Sequence, residues 1–387
     1  MVGHNTETDV LRPQFGIYLF SRFLVLVAKL LHSFVKVIGY CDLRRLNRSE
    51  KQASLVAIES GRVGWTLIEY EELLASAFEY FGPSGVLKVC IEQRKHYLRE
   101  TYRVLRKSRI THYVYDPRTG AQTFGKGLLQ SFVLIVLFAW FKVIPIARLS
   151  DMPDRKWRLQ CAVVTAASGI CTTLMEPSSL KYYFPHKRLV GPMMMALSRG
   201  RVLRLHELRK SIVVPKQTKA IFTGAMYEPR ATILSEIREG LRSRGLDLEL
   251  QVRNIGEERD SNDSYWQRLI DAEIVITTAD QSTGLGAEPI DLPHLVYRYT
   301  EVLASGSLLV APIVPGVDEY FRPGVDFVSF QSVADAVDQI SYYLGSESER
   351  RSIAESGSMR LLELVESHSF WKKIDLVLQD DGFIRLI

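Results

Sequence analysis

Three groups of residues combine charge or backbone freedom with a spacing that chemistry can use. The first is Arg298 and Glu301 in the run Arg298-Tyr299-Thr300-Glu301-Val302-Leu303-Ala304-Ser305-Gly306, which reads as a helix closed by glycine and followed by a buried strand, Ser307 to Pro312. Packing alone rarely places a carboxylate among such small and apolar neighbours. The second is the loop Ala279 to Leu292, holding Gly284 and Gly286 and entering that helix at Pro293. A glycine loop running into a helix start offers unpaired N–H groups and the positive end of the helix dipole, which suits a diphosphate. Glu301, further into the helix, is placed to accept hydrogen bonds from a ribose, and Tyr297 at the helix start joins the same contact set. The third group is Gly224, in a turn, and Arg230, opening the next helix, whose guanidinium can pair with phosphate oxygens. Blander readings stand beside these: Arg298 in a helix-surface ion pair, Arg230 paired with Glu228, and a glycine loop of the common kind.

Positioning these groups requires an α/β scaffold, and the hydrophobic pattern supplies one. In the second half, strands are expected over Lys219 to Thr223, Leu246 to Val252, Glu273 to Thr278 and Val325 to Phe330. Helices are expected over Arg230 to Ser243, Tyr265 to Ile270 and Glu347 to Val365. Ser332 with Asp335 three residues on opens another, with Val333, Val337, Ile340 and Leu344 at helical spacing. The first half alternates likewise: strands at Ser54 to Ile58, Ile110 to Tyr115, Val143 to Leu149 and Gly169 to Met175, with helices at Leu67 to Phe81, Arg94 to Lys107 and Cys161 to Ala167. Alternating strands and helices imply parallel sheets covered on both faces, with ligands at the carboxyl ends of the strands. That rule singles out Asp151, just past one such strand, and His186 in the loop Phe184 to Arg188.

Charge divides the chain. Residues 1–220 carry 34 Lys/Arg against 16 Asp/Glu (+18) and residues 221–387 carry 15 against 28 (−13), which sum to the net +5. With Pro215 in a short polar connection, this places a boundary near 215 and suggests a docking segment at 1–51, an α/β domain at 52–215 and a second at 216–387. Phe15 to Tyr40 is apolar except for Arg22, Lys29 and Lys36 at intervals of seven and His32 nearby; Arg44, Arg45, Arg48 and Lys51 follow. Lys29 at the centre of a span would cost roughly 2.5–3.5 kcal/mol on insertion scales, so docking on anionic lipid is favoured, with burial against the rest of the protein as the rival. The apolar run Leu128 to Ala147 reads as a core helix turning into a strand at Pro145. Nothing interleaves aromatics with the basic residues in the manner of a nucleic-acid module, so no nucleic-acid partner is expected. Four widely spaced cysteines and the absence of a secretory signal fit a reduced, cytoplasmic setting, peripheral on the inner face of the plasma membrane.

From about Ala220 to Asp375 the chain resembles the carboxyl-terminal domain of group 1 glycosyltransferases, in particular the spore-maturation-type branch. The matching pieces are Phe222-Thr223-Gly224 to Tyr227-Glu228-Pro229-Arg230, the Arg298 to Gly306 helix, the turn Phe321-Arg322-Pro323-Gly324-Val325-Asp326-Phe327, and Arg351-Ser352-Ile353-Ala354-Glu355-Ser356-Gly357. The resemblance implies the GT-B architecture, two Rossmann-like domains facing across a cleft, with a nucleotide-sugar donor on the second and a glycan or lipid-linked acceptor held mainly by the first. It also implies metal-independent chemistry without a cofactor, in agreement with the lack of any Asp-x-Asp motif. Asp151 and His186 become candidates for the base that activates the acceptor, required only if anomeric configuration inverts. In relatives an acid lies eight positions before the helix glutamate; here that position is Pro293, which leaves open a non-catalytic protein that binds nucleotide or glycan without turnover.

Overall fold

The structure is a computed structural model that describes residues 15–42, 56–61, 67–91, 96–116, 124–149, 163, 169–180, 188–211, 220–226, 228–253, 262–279 and 293–380. In chain order the elements of the first half are α1 (Phe15–Asp42), β1 (Val56–Gly61), α2 (Leu67–Phe81), β2 (Val86–Ile91), α3 (Tyr97–Lys107), β3 (His112–Tyr115), α4 (Phe124–Phe141), β4 (Ile144–Leu149), β5 (Ile170–Thr173), β6 (Leu189–Val190) and α5 (Arg199–Lys210). Those of the second half are β7 (Ala220–Ala225), α6 (Arg230–Arg242), β8 (Leu248–Arg253), α7 (Asn262–Asp271), β9 (Ile274–Ile276), α8 (Tyr297–Ser305), β10 (Leu308–Pro312), β11 (Val328–Phe330), α9 (Val333–Gly345), α10 (Glu347–Glu366) and α11 (Ser369–Asp380).

Two units emerge. One comprises residues 1–63, 77–191 and 371–387; the other comprises 64–76 and 192–370. The division thus falls at Gly191/Pro192 rather than near 215, which lies outside the described residues. The reason is packing: α5 lies against α7, α8 and α10, with Val202 and Leu205 in the core of the second unit. Helix α11, within the bounds 216–387 expected for the second domain, clusters with the first unit from Trp371 onward, where the Trp371 ring meets Phe81 edge-on at 5.1 Å.

Each unit holds a parallel sheet. The first runs β2-β1-β3-β4-β5-β6 and the second β11-β10-β9-β7-β8. In the second sheet successive residues of a strand feed opposite layers: Ile221, Val275 and Leu309 pack with Tyr299, Val302 and Leu361, whereas Ala220, Phe222, Ile274, Ile276, Leu308 and Val310 pack with Leu234, Ile237, Val337 and Ile340. Burial on both faces explains why these strands read as unbroken apolar runs. Each aliphatic side chain so buried contributes about 1.5–3 kcal/mol. Both sheets change direction next to their first strand: β1 lies between β2 and β3, and β7 between β8 and β9. At such a switch point the following loops diverge and leave a crevice at the carboxyl ends.

In the first unit α1 packs along α4. At about 100° per residue its side chains sort into three sectors. Leu24, Val25, Ala28, His32 and Val35 are buried; Arg22, Lys29 and Lys36 form an adjacent basic stripe; and Phe20, Phe23, Leu26, Leu30 and Phe34 occupy the remainder, each at least half exposed. The burial expected as the rival to docking therefore accounts for one face only. Burial and the nearby Lys36 lower the His32 pKa. Among the described residues no helix is long and apolar enough to cross a membrane.

Candidate functional site

The polar groups singled out in the second half gather at the switch point of the second sheet. Strand β7 ends at Thr223-Gly224-Ala225, and β9 runs on into Thr277 and Thr278, both buried. Gly224 has φ +149°, and a Cβ there would stand 3.2 Å from the Phe222 ring and 3.4 Å from Arg298 Nη2. This end of the strand therefore favours glycine, since any side chain would be held at a positive φ and pressed against the Phe222 ring.

Helix α8 carries Arg298 and Glu301. Its N-cap, Val296, makes no side-chain capping bond, so its first N–H groups have no side-chain acceptor from the cap. It ends at Gly306 in the left-handed conformation, φ 66°, whose N–H reaches the Leu303 carbonyl at 3.1 Å. Arg298 Nη2 donates to the Thr223 carbonyl at 2.6 Å, and Nη1 donates to the Tyr265 hydroxyl and lies 3.3 Å from Glu301 Oε2. The Tyr265 hydroxyl in turn donates to Glu301 Oε2 at 2.6 Å. Both polar contacts of Glu301 thus fall on one oxygen, and among the described residues Oε1 accepts no hydrogen bond. With side chains only 16% and 11% exposed, Arg298 and Glu301 form a largely buried pair and not the surface pair of the blander reading. Removing one partner leaves the other's charge stranded in a partly desolvated site.

Arg230 is also buried. Its Nε donates to Thr278 Oγ1 at 3.0 Å and its Nη1 to the Ala225 carbonyl at 3.3 Å, with the guanidinium 5.7 Å from the Phe222 ring centroid. It therefore clamps the ends of β7 and β9 together. Glu228, the rival partner, instead accepts from the Thr232 hydroxyl at 2.7 Å. Tyr297 lies one turn before Glu301, and its hydroxyl donates to buried Glu69 in the stretch 64–76 that clusters with this unit. Pro293, eight residues before Glu301, is exposed. Gly284, Gly286, Asp151 and His186 lie outside the described residues.

Tyr265, Thr223 and Thr278 complete the arrangement and were not singled out by sequence reasoning. Thr223 and Thr278 act at strand ends, where the pattern gives only burial; Tyr265 meets Glu301 from 36 positions away. The one sequence signal was Tyr265 beside Trp266 on a short helix, with Trp266 filling the core.

A second buried polar cluster sits at the switch point of the first sheet. Glu59 on β1 is 1% exposed; Tyr113 from β3 donates to its Oε1 at 2.9 Å, and the Tyr97 ring from α3 is equally buried. Burial pushes the Glu59 carboxyl up to about 8, against the opposing pull of the Tyr97 and Tyr113 hydroxyls, and the two phenols are raised well above their ordinary range for the same reason.

Residues 248–375 match the model of a family described as glycosyl transferase-like. That segment contains α7, α8 and the Arg298–Tyr265–Glu301 cluster, and the match bears out the resemblance to group 1 glycosyltransferases over those residues; the Phe222 to Arg230 pieces lie before it. No curated protein sequence matches the chain. Among solved structures, Anabaena HepE, in complex with UDP and glucose, aligns with TM-score 0.51 and 11% identity over 85% of this chain and 100% of that one. A glycosyltransferase from Rickettsia africae gives 0.51 and 8% over 85% and 98%. Sucrose-phosphate synthase from Thermosynechococcus elongatus gives 0.50 and 12% over 85% and 98%. At such identity the likeness speaks for the fold: the two units are the two Rossmann-like domains of the GT-B architecture.

Proposed function

We propose that the protein is a glycosyltransferase that moves a sugar from a nucleotide-sugar donor to a lipid-linked or cell-envelope glycan acceptor at a membrane surface. The observation that carries the reading is Glu301, a buried carboxylate with one oxygen pinned by Tyr265 and Arg298 and the other accepting no hydrogen bond among the described residues, on a helix within the segment 248–375 that matches a glycosyl transferase-like family. A ribose hydroxyl is the partner that such an oxygen suits. HepE, of the same fold, was solved with UDP and glucose, which makes UDP the first nucleotide to test.

Transfer leaves a nucleoside diphosphate departing from a carbon that becomes cation-like. The chain's part is to stabilise that negative charge in place. Arg298 and Arg230 are fixed by strand-end carbonyls, so their positive field needs no reorganisation as charge develops. The start of α8 adds its dipole. No step of this scheme requires a metal. If the anomeric configuration inverts, Asp151 or His186 is the proposed base; if it is retained, the donor phosphate serves.

The membrane part of the proposal rests on α1. A helix buried on one side, basic on the next and apolar but exposed on the third can lie in the interface, with its rings among acyl chains and Lys29 and Lys36 at the headgroups. The setting proposed is the cytoplasmic face of the plasma membrane. Nucleotide-dependent thermal stabilisation with UDP- and GDP-sugars, diminished in Glu301→Ala, supports the donor site; no response to any nucleotide sugar would refute it. A second reading, binding without turnover, is favoured by Pro293 at the position of the acid seen in relatives. Product analysis separates the two, since bound donor that is neither transferred nor hydrolysed supports the second.

A further inference from the structure

We infer that Tyr265 is the positioning residue that gives the donor site its selectivity for a ribose. The inference rests on the donor-site reading above and adds a residue to it.

The phenolic oxygen of Tyr265 stands between two charges. It accepts from Arg298 Nη1 and donates to Glu301 Oε2 at 2.6 Å, while the Arg298 guanidinium carbon lies 5.4 Å from the Tyr265 ring centroid. Arg298 is anchored at its other end by the Thr223 carbonyl at 2.6 Å. A continuous chain therefore runs from the end of β7 through Arg298 and Tyr265 to Glu301. Its base is rigid, because the next residue, Trp266, is 2% exposed, and Leu269 and Ile270 on the same helix are fully buried.

The geometry decides which oxygen of Glu301 meets a ligand. Left alone, an arginine and a glutamate three apart on a helix favour a two-pronged pair that engages both carboxylate oxygens. Here the guanidinium engages the Thr223 carbonyl and the Tyr265 hydroxyl and lies 3.3 Å from Oε2. The tyrosine hydroxyl supplies the remaining bond to that same oxygen, and Oε1 stays unengaged by the described residues. Without the hydroxyl, Nη1 loses its acceptor and turns to the carboxylate, and the oxygen proposed for the ribose is taken by the protein itself.

The test uses the full-length protein and isothermal titration with UDP and GDP, followed by the 2′,3′-dideoxy form of whichever binds more tightly. Wild type is expected to prefer the ribose form by roughly tenfold or more, as for a hydrogen bond to a charged group. Tyr265→Phe is expected to weaken the ribose form by a similar factor, leave the dideoxy form nearly unchanged and so abolish the preference. Tyr265→His, which restores a polar atom on a ring, is expected to recover part of it. If Tyr265→Phe keeps the wild-type preference, or weakens both forms equally, Tyr265 has no such role. If wild type binds neither diphosphate, the underlying donor-site reading fails and the inference fails with it.

Discussion

Replacing Glu59 by glutamine should change how the stability of the first unit responds to pH. Glu59 titrates near 8 in the folded chain against an ordinary value of 4.5. Between these values the unfolded chain has released the proton and the folded chain has kept it, so unfolding is favoured as pH rises. The stabilising contribution is complete below about 4.5 and is lost by about 8. The slope is about 1.4 kcal/mol per pH unit within the window. Integrated from pH 5 to pH 9 the loss is about 4 kcal/mol, a large share of the stability of a typical domain. Glu59→Gln has the shape of the protonated acid and keeps an oxygen for the Tyr113 hydroxyl, but it cannot ionise. Urea denaturation of both proteins at steps from pH 5 to 9 isolates the effect, because every other titrating group cancels in the difference. The glutamine variant should gain on wild type progressively above pH 5, reaching about 4 kcal/mol at pH 9. A difference that stays constant across the range would show that Glu59 ionises in the fold at its ordinary value, and the buried-acid argument would be wrong.

Three further outcomes follow from the geometry. Gly224→Ala must adopt φ +149° and press on Phe222 at 3.2 Å, so it should lower stability by about 1–3 kcal/mol, measured by melting. Arg350→Ala strands Glu273, whose carboxylate it meets at 3.2 Å with both side chains under 10% exposed, and should cost about 3–5 kcal/mol in denaturation without altering ligand selectivity. The triple change Phe23→Ser, Leu30→Ser and Phe34→Ser removes only exposed apolar surface; it should abolish flotation with anionic vesicles while leaving the melting temperature unchanged, and retained flotation would assign lipid contact to another surface.

Legibility in the sequence followed physical cause. Helix α2 was expected over Leu67 to Phe81 and spans those residues, because an apolar stripe of helical period crosses a whole element. Strand β2 was missed: it is a short edge strand whose apolar run is interrupted by exposed Lys88, with Cys90 also exposed, so it gives neither a clean alternation nor an unbroken run. At the site, Glu301, Arg298 and Gly224 announced themselves as residue types that packing does not explain. Arg230 was legible as a charge, but the sequence did not reveal that its guanidinium holds Thr278 and Ala225, a bond to a strand 48 positions away. The boundary near 215 followed a change in charge, whereas the division at 191 follows core contacts of α5, and net charge is a property of surfaces.

The donor site itself is tested most directly by calorimetric titration of the full-length protein with UDP and UDP-sugars, wild type against Glu301→Ala. Saturable binding that falls at least roughly tenfold in the variant, with the melting temperature of the free protein lowered by no more than the lost Arg298 pair explains, is the expected result. Equal binding by the two proteins, or none by wild type across uridine and guanosine donors, would contradict the placement of a nucleotide at the end of β7.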